Sequence, residues 1–414
     1  MRTKNRALKT SSPARGVLLL GAGFSMGNVT SDKNFWSGFV RNLSGKKGQV
    51  VVISINHSTL PEEHRENVHV YNVRPFFDFS RNGNGNGIGI GSHNPYLYTP
   101  DGLHKHVEMF LTQLKLIPLL RRLIRTHNVK TIHLLDSFGW TNRLFKILFP
   151  GIRLGLTLIT FNRWGRRESL YSFYQKLALR KLDYVVVTSP ASRKKVVQQG
   201  IRNDGVSSIN WGIESNSNGN GHRVTARLSK GRVRHCLWTG FIQQIDRESF
   251  QFTRRIARRL SEINPEIKFT FAFKPECLPS DIAEIPEAEI KVISTGPNEF
   301  TRLLKQSDLL ISPILNYRSV CAPPLSWIES LAQGIPIVST PAPGVAEILI
   351  ANQAGLVGRT ADELAVKIAG LLEDPKHYRT LSANAKKLAQ REYSLDNIVN
   401  QYLQLWEDGN GLPG

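Results

Sequence analysis

The residues of this sequence whose types and spacing could do chemistry are concentrated in one short segment. Residues 323–340 read PPLSWIESLAQGIPIVST. Pro324 suits the first position of a helix, because its missing N–H would have no partner there, and Gly334 suits the left-handed residue that ends one. Glu329 would then lie on a short helix whose N-terminal amides can hold a phosphate and whose carboxylate can accept hydrogen bonds from sugar hydroxyls. An ordinary surface glutamate explains the spacing equally well.

A second segment that could bind a ligand is the glycine-rich stretch GAGFSMG at 21–27, which follows the apolar run VLLL. Glycines at the end of a strand let the backbone approach a ligand closely. The GxGxxxG pattern also suits a dinucleotide-binding fold, but that fold needs an acidic residue at the end of the next strand. The next predicted strand ends in Ser54 to His57 without one. The loop therefore indicates a ligand site and argues against NAD.

Both segments belong to a regular alternation of predicted strands and helices, which is typical of parallel sheets with crossover helices. Helices are predicted at 104–125, 169–181 and 247–262, with others extending to Trp406. The predicted fold class is α/β, with two doubly wound Rossmann-like domains that face each other across a cleft. The predicted strands are at 17–20, 50–55, 68–73, 131–135, 156–160, 184–189, 235–240, 267–273, 290–294, 308–313 and 335–340.

Length and low-complexity segments divide the chain. At 414 residues it is long enough for two domains, and 41% hydrophobic and 21% charged residues are typical of a globular protein. An Asn- and Gly-rich stretch at 81–95 predicts a surface loop. The predicted parts are a basic flexible extension at 1–15, an N-terminal Rossmann-like domain at 16–213, an Asn/Gly linker at 214–231, a C-terminal Rossmann-like domain at 232–390, and a C-terminal helix at 391–414 that crosses back towards the first domain.

The net charge of +21 is concentrated in one half of the chain. Residues 1–210 hold 31 Lys and Arg against 11 Asp and Glu, whereas residues 211–414 hold 23 against 22. A basic half indicates an acidic partner, which could be a membrane surface, nucleic acid or an anionic substrate. Scattered aromatic residues and the lack of a nucleic-acid-binding motif argue against nucleic acid. The three cysteines form no CxxC pair, which favours a reducing compartment and argues against structural zinc.

No run in the sequence reaches the roughly 18 uncharged apolar residues that a membrane-spanning helix needs. The N-terminus is basic and precedes a short apolar run, so a secretory signal is one interpretation. The apolar run has only the length of a strand and leads into a glycine turn. A basic extension before the first strand is therefore the prediction.

The stretch SDLLISPILNYRSVCAPPLSWIESLAQGIPIVSTPAPGVAEIL resembles the donor-site segment of retaining nucleotide-sugar glycosyltransferases of the group 1 (family 4) type, which have the GT-B fold. That segment has a strand ending in Ser-Pro, a helix with Glu-Ala-Met-Ala-x-Gly, a Pro-Val-Val strand and a Gly-Gly-x-x-Glu turn. The resemblance implies transfer of a sugar from a nucleoside diphosphate donor. It places the donor on the C-terminal domain and the acceptor on the N-terminal domain.

The resemblance also implies roles for individual residues. Glu329 occupies the position of the family's second glutamate, which binds the ribose hydroxyls of the donor. The amides of Leu325 and Ser326, with the Ser326 hydroxyl, would face the diphosphate. The glycine loop borders the sugar and diphosphate in the family, and the turn after the strand matches too. The remaining donor-binding residues implied are Gly21, Gly23, Ser25 and Gly344, and Glu347 matches the turn with a structural role.

Several positions depart from the family pattern. The family's first glutamate falls on Cys321, the arginine after the first strand of the second domain on Phe241, and a frequent histidine on Phe161. Arg247 and Lys274 are the alternative candidates for a base on the diphosphate. No catalytic residue is assigned from the sequence.

The chain contains no Asp-x-Asp, the pair with which transferases of the other common fold hold a metal. This absence favours a metal-independent site. The leading hypothesis, which the resemblance implies, is a retaining glycosyltransferase whose nucleotide sugar is a substrate, with no cofactor. The alternative is a catalytically silent GT-B protein that binds a nucleotide sugar or glycan as a partner or scaffold. A sugar-nucleotide epimerase is a third hypothesis, but the histidines and acids that its chemistry needs are not clustered.

The basic half predicts where the protein works. The stretch LTQLKLIPLLRRLIRTHNVK at 111–130 places leucines and isoleucines near Arg121, Arg122 and Arg125, and Arg163, Arg166 and Arg167 form a second cluster. A helix of this pattern either turns its leucines to the core or presents them to a bilayer, and in both cases a basic face remains. The prediction is a peripheral protein on the cytoplasmic face of a membrane, acting on an anionic or lipid-linked acceptor.

Overall fold

The computed structural model shows two parallel α/β sheets, each with helices packed against it. The residues that the structure describes are 16–21, 31–43, 46, 49–55, 64–65, 67–73, 102–135, 141–158, 179–198, 200–214, 234–240, 247–273, 288–292, 297–315 and 323–408.

The first sheet has eight strands in the order β3-β4-β2-β1-β5-β6-β7-β8. Every neighbouring pair is parallel except β3 and β4. Apolar residues on both faces of these strands explain their burial between layers of helices. The strands are β1 (Gly16–Gly21), β2 (Val50–Ile55), β3 (His64–Arg65), β4 (Val68–Val73), β5 (Val129–Leu135), β6 (Arg153–Leu158), β7 (Tyr184–Val187) and β8 (Val206–Ser208).

The helices of this domain follow the strands that they cover. They are α1 (Ser31–Leu43), α2 (Gly102–Thr126), α3 (Thr141–Leu148) and α4 (Pro190–Gln198), with a 3-10 turn at Asn203–Gly205. Helix α2 buries Leu116, Leu120 and Leu123 in the same core as the strand residues Leu18 and Ile132.

The second sheet has six strands, all parallel, in the order β11-β10-β9-β12-β13-β14. This is the strand order of a doubly wound dinucleotide-type domain. Its strands are β9 (His235–Gly240), β10 (Lys268–Phe273), β11 (Glu289–Val292), β12 (Leu309–Ile311), β13 (Ile337–Ser339) and β14 (Gly355–Val357). Its helices are α5 (Arg247–Ile263), α6 (Pro297–Gln306), α7 (Leu325–Ala332), α8 (Glu347–Ala351), α9 (Ala361–Glu373) and α10 (Pro375–Glu392), and the chain's last helix is α11 (Leu395–Asp408).

The last helix packs on the first domain. Tyr402 and Trp406 of α11 contact Phe39 of α1, with ring centroids 5.0 and 6.2 Å away. Arg153 Nη1 of β6 donates a hydrogen bond of 2.7 Å to the Leu405 carbonyl. Where α10 meets α11, Ile213 N–H donates to the Tyr393 carbonyl, and Leu395 N–H donates to the Ile213 carbonyl. The end of the first domain, at Ile213, and the segment in which the chain returns to that domain, at Tyr393–Leu395, therefore lie side by side.

Most predicted elements lie where the alternation of the sequence put them. Strand β6 begins at Arg153 and not at residue 156, because a charged residue and Gly155 hid its start. The short strands β3, β8 and β14 were not predicted, since their two or three residues do not lie in a longer apolar run as those of β12 and β13 do. The predicted loop at 81–95 lies wholly outside the described residues, and the predicted helix at 169–181 lies almost wholly outside them. None of the described helices has the length and apolar character needed to cross a membrane.

Candidate functional site

The candidate site lies at the carboxyl end of the second sheet, where its strand order reverses. Strands β9 and β12 are neighbours, but the chain continues from β9 to β10 on one side and from β12 to β13 on the other. Ligands of open α/β sheets bind at such a point, because the connections diverge there and leave a crevice. Helix α7, which carries Glu329, follows β12 in the chain.

Helix α7 begins one residue later than the sequence predicts. Pro324 is its N-cap, with an extended ψ of 145°, and not its first helical residue. The Pro324 carbonyl accepts hydrogen bonds from the N–H groups of Trp327 (2.8 Å) and Ile328 (3.3 Å). Proline has no polar side chain, and among the described residues no side chain caps this helix terminus. The amides of Leu325 and Ser326 therefore keep their capacity to bind an anion, reinforced by the helix dipole.

The other end of α7 is held firmly. Gly334 has a φ of +68°, which confirms the predicted left-handed residue. Gly334 N–H donates to the Leu331 carbonyl and Ile335 N–H to the Ser330 carbonyl, which is the Schellman pattern. The Ser382 hydroxyl of α10 donates a bond of 2.5 Å to the Gly334 carbonyl. Packing of α10 on α7 thus anchors the C-terminal end of the helix.

Glu329 has an environment that a surface glutamate does not have. Its neighbours Trp327, Ile328 and Leu331 are fully buried, and Glu329 itself is partly buried. Desolvation raises its pKa from 4.5 to about 7. Within the described part of the chain no cation or hydrogen-bond donor contacts its carboxylate. A carboxylate held in this way has unused capacity to accept hydrogen bonds from a ligand.

The loop that leads into the site is fastened to the neighbouring strand. Ser312, directly after β12, accepts a hydrogen bond of 2.8 Å from Trp327 Nε1. The Ser312 carbonyl accepts a bond of 2.8 Å from the Ser339 hydroxyl at the end of β13. Thr340 Oγ1 accepts from Ile314 N–H (2.9 Å) and donates to the Ile314 carbonyl (2.6 Å). These contacts could not be predicted from local sequence patterns, because they join residues 15 to 27 positions apart.

The turn after β13 has the predicted geometry. Gly344 has a φ of +79°, and Glu347 is the exposed first residue of α8. An exposed glutamate at a helix start interacts favourably with the helix dipole. This geometry suits the structural role predicted for Glu347.

The remaining predicted site residues lie in different places. Gly21 is the buried last residue of β1, at the carboxyl end of the first sheet, where β1 and β5 are neighbours. This is the point at which the order of the first sheet reverses. Arg247 is the exposed first residue of α5, after the end of β9 at Gly240. The other predicted positions lie outside the described residues: Gly23, Ser25, Phe161, Phe241, Lys274 and Cys321.

His133 of β5 is a structural residue. It is fully buried, and burial lowers its pKa to about 3, so the ring is neutral. Its Nε2 lies 2.8 Å from Thr157 Oγ1, and its Nδ1 lies 2.9 Å from the Tyr184 hydroxyl. Trp406 Nε1 donates to Nδ1 at 3.4 Å, so Nδ1 is an acceptor and Nε2 carries the proton. Among the described residues no group of three or more His, Cys, Asp or Glu could hold a metal ion.

Comparison with known proteins agrees with this geometry. Residues 280–388 match the family model described as Glycosyl transferases group 1. A sucrose-phosphate synthase from Thermosynechococcus elongatus is 16% identical, with a TM-score of 0.67 over 95% of this chain and 98% of its own. A glycosyltransferase from Rickettsia africae is 15% identical, with a TM-score of 0.64 over 96% and 99%. The Anabaena protein HepE in complex with UDP is 15% identical, with a TM-score of 0.61 over 95% and 100%. No curated protein matched the sequence.

These findings show the fold and the similarity of residues 280–388 to group 1 glycosyltransferases. The structural matches span both chains almost completely, and at such low identity they show the fold, which confirms the predicted GT-B arrangement of two Rossmann-like domains. The family match contains β12, α7 and β13 and confirms the predicted resemblance to group 1 glycosyltransferases in that region. Retention and membership of family 4 stay predictions.

Proposed function

We propose that this protein, whose C-terminal domain carries a group 1 glycosyltransferase segment on a GT-B fold, transfers a sugar from a nucleoside diphosphate donor to an acceptor, with retention and without a metal. The observation that carries this proposal is the state of Glu329. Its carboxylate is partly buried, lacks a partner among the described residues, and lies on the helix that follows β12 at the reversal point. Such a group suits the vicinal hydroxyls of a ribose.

The donor would contact residues of both domains. Glu329 would accept hydrogen bonds from the ribose hydroxyls, and the amides of Leu325 and Ser326, with the Ser326 hydroxyl, would face the diphosphate. A group 1 glycosyltransferase uses a nucleotide sugar as its substrate, and the similar HepE is recorded with UDP. Gly21, with Gly23 and Ser25 after it, would border the sugar from the first domain, and Gly344 would shape the turn beside it.

The same groups serve the reaction. Negative charge develops on the nucleoside diphosphate as its bond to the sugar breaks. The positive end of α7 and its first amides are preorganised to stabilise that charge. Arg247 at the start of α5, or Lys274 after β10, would add a cation. We assign no catalytic acid or base.

Replacing Glu329 by alanine is expected to weaken the binding of UDP or GDP sugars about a hundredfold, because two charge-assisted hydrogen bonds to the ribose are lost. Titration calorimetry measures the dissociation constants. Glu373→Ala is the matched control, since Glu373 is an exposed glutamate at the end of α9, and it should bind like the parent. Equal affinities of Glu329→Ala and the parent would show that Glu329 does not hold the nucleotide.

Incubation with labelled donors and a lipid extract tests transfer itself. Formation of a labelled product supports the glycosyltransferase. Measurable donor binding with neither transfer nor donor hydrolysis supports the catalytically silent protein.

We also propose that the protein acts on an anionic or lipid-linked acceptor, at the cytoplasmic face of a membrane, through the outer face of α2. The structure turns Leu120 and Leu123 into the core, so these leucines do not face a bilayer. The exposed residues of the helix include Arg121, Arg122 and Arg125, with Leu114 36% exposed. An exposed basic face with a partly exposed leucine fits an anionic lipid surface. Each Lys or Arg near such a surface contributes about 1 kcal/mol to the free energy of binding.

Flotation with anionic and neutral vesicles tests this surface. The parent is expected to float with anionic vesicles at low salt and to release as salt rises. Replacing Arg121, Arg122 and Arg125 together by glutamine should abolish flotation. Changing three exposed cations of α10 to glutamine (Lys376, Arg379 and Lys387) removes the same charge and should leave flotation intact. Equal loss in both triple variants would show a response to net charge alone, and failure of the parent to float would refute membrane binding.

A further inference from the structure

Three chain segments meet at one serine beside the proposed donor site. The hydroxyl of Ser312, after β12, accepts the hydrogen bond of Trp327 Nε1 from α7, and its carbonyl accepts that of Ser339 from β13, each at 2.8 Å. The Ser312 N–H donates to the Val338 carbonyl, also at 2.8 Å. Ser312 is therefore fixed to the sheet through its backbone, while its side chain contacts the helix.

The bond from Trp327 constrains a motion that apolar packing leaves open. Trp327 is fully buried beside Ile328 and Leu331, and such packing sets how deeply α7 sits on the sheet. Packing is non-directional, whereas an indole N–H has one direction and needs a partner when buried. Trp327 and Glu329 are two positions apart on one rigid helical turn. A rotation of α7 about its axis would therefore displace the Glu329 carboxylate and the first amides of the helix together.

We propose that the hydrogen bond between Trp327 and Ser312 sets the rotation of α7, so that these two are positioning residues for nucleotide binding. They act through Glu329 and the first amides of α7. The inference rests on the proposed function. A displacement of about 1 Å at a binding group is enough to lower its effect strongly. The bonds between Thr340 and Ile314 hold the loop on β13 independently, so loss of the indole bond should affect α7 and not the sheet.

A double-mutant cycle on the full chain tests the proposal. Ser312→Ala and Trp327→Phe are each expected to raise the dissociation constant of a UDP or GDP sugar about tenfold. Because both variants remove the same bond, the double variant should also be about tenfold weaker than the parent. Ser312→Thr keeps the hydroxyl and should bind within about twofold of the parent. Titration calorimetry gives the affinities, and thermal unfolding of each variant gives its stability.

Ser382→Ala is the matched control for a merely structural effect. It removes another buried hydrogen bond made by a hydroxyl group to the α7 segment. That bond is at Gly334, at the opposite end of the helix from the amides of Leu325 and Ser326. It should lower the melting temperature and leave nucleotide affinity unchanged. If Ser312→Ala behaves like Ser382→Ala, or if the double variant is about a hundredfold weaker, the proposal is wrong. If Glu329→Ala binds the nucleotide sugar as tightly as the parent, the proposed donor site is wrong and this inference fails with it. If Glu329→Ala binds weakly but Ser312→Ala binds like the parent, only this inference is refuted.

Discussion

Glu329→Gln is expected to make the free protein more stable at neutral pH while it weakens nucleotide binding by one to two orders of magnitude. The carboxylate lies partly buried, no counter-charge contacts it among the residues that the structure describes, and burial raises its pKa from 4.5 to about 7. Each unit of such a shift corresponds to about 1.4 kcal/mol, so ionised Glu329 destabilises the folded state by about 2 kcal/mol after allowance for partial exposure. Glutamine keeps the shape of the side chain and removes that cost.

The sign of the pH dependence follows from the direction of the shift. Because the folded-state pKa of this acid lies above its unfolded value, ionisation costs more in the folded protein. The cost begins as pH rises above about 4.5 and is complete above about 7. The stability gain of Glu329→Gln should therefore be near zero at pH 4, grow through pH 5 and 6, and level off above about pH 7.5.

Denaturant unfolding of parent and variant between pH 4 and 8 measures this difference. A saturating nucleotide sugar should cancel most or all of this gain, because a ligand that binds only the folded state stabilises it in proportion to the logarithm of its concentration over its dissociation constant, and one to two orders of magnitude in affinity correspond to about 1.4–2.7 kcal/mol. Glu373→Gln, at an exposed position, is the control and should show neither effect. A variant that is less stable than the parent at pH 8 would mean that Glu329 has a stabilising partner.

Local signals in the sequence were sufficient for the site's main helix. Gly334 could be predicted as left-handed because one residue type dominates that position, and its φ of +68° agrees. The proline pair and the apolar spacing predicted α7 to within one residue. Alternating strands and helices predicted two doubly wound sheets, since periodicity is a property of the local chain.

The contacts that tune the site could not be predicted. The bond between Trp327 and Ser312 joins two elements whose relative height depends on how α7 packs on the sheet. The raised pKa of Glu329 depends on burial by neighbouring elements, and the sequence alone left a surface glutamate equally possible. For the same reason the outward residues of α2 could not be assigned: only the packed structure shows that Leu120 faces the core and Leu114 does not.

Trp406→Ala is expected to destabilise the N-terminal domain, although Trp406 lies near the end of the chain, after the second sheet. Its ring is 4% exposed and lies 6.2 Å from Phe39 and 5.6 Å from His133, and its Nε1 donates to His133 Nδ1. Truncation of a buried tryptophan leaves a cavity and costs about 3–5 kcal/mol. Here it also removes a donor from the neutral ring of His133, in a buried network that continues through Thr157 to the Tyr402 hydroxyl.

Hydrogen exchange can locate this loss in the molecule. In Trp406→Ala, amides of β5, β6 and β7 should exchange faster, because α11 covers their side chains, whereas β9, β10 and β12 should be nearly unchanged. Trp406→Phe keeps most of the ring contacts and should lose about 1–2 kcal/mol, mainly from the missing N–H bond. If the second sheet alone lost protection, α11 would stabilise the domain that precedes it in sequence and not the one that it contacts. The predicted result would instead show that the N-terminal sheet owes part of its stability to the last helix of the chain, so that the two domains cannot be separated at the linker without loss.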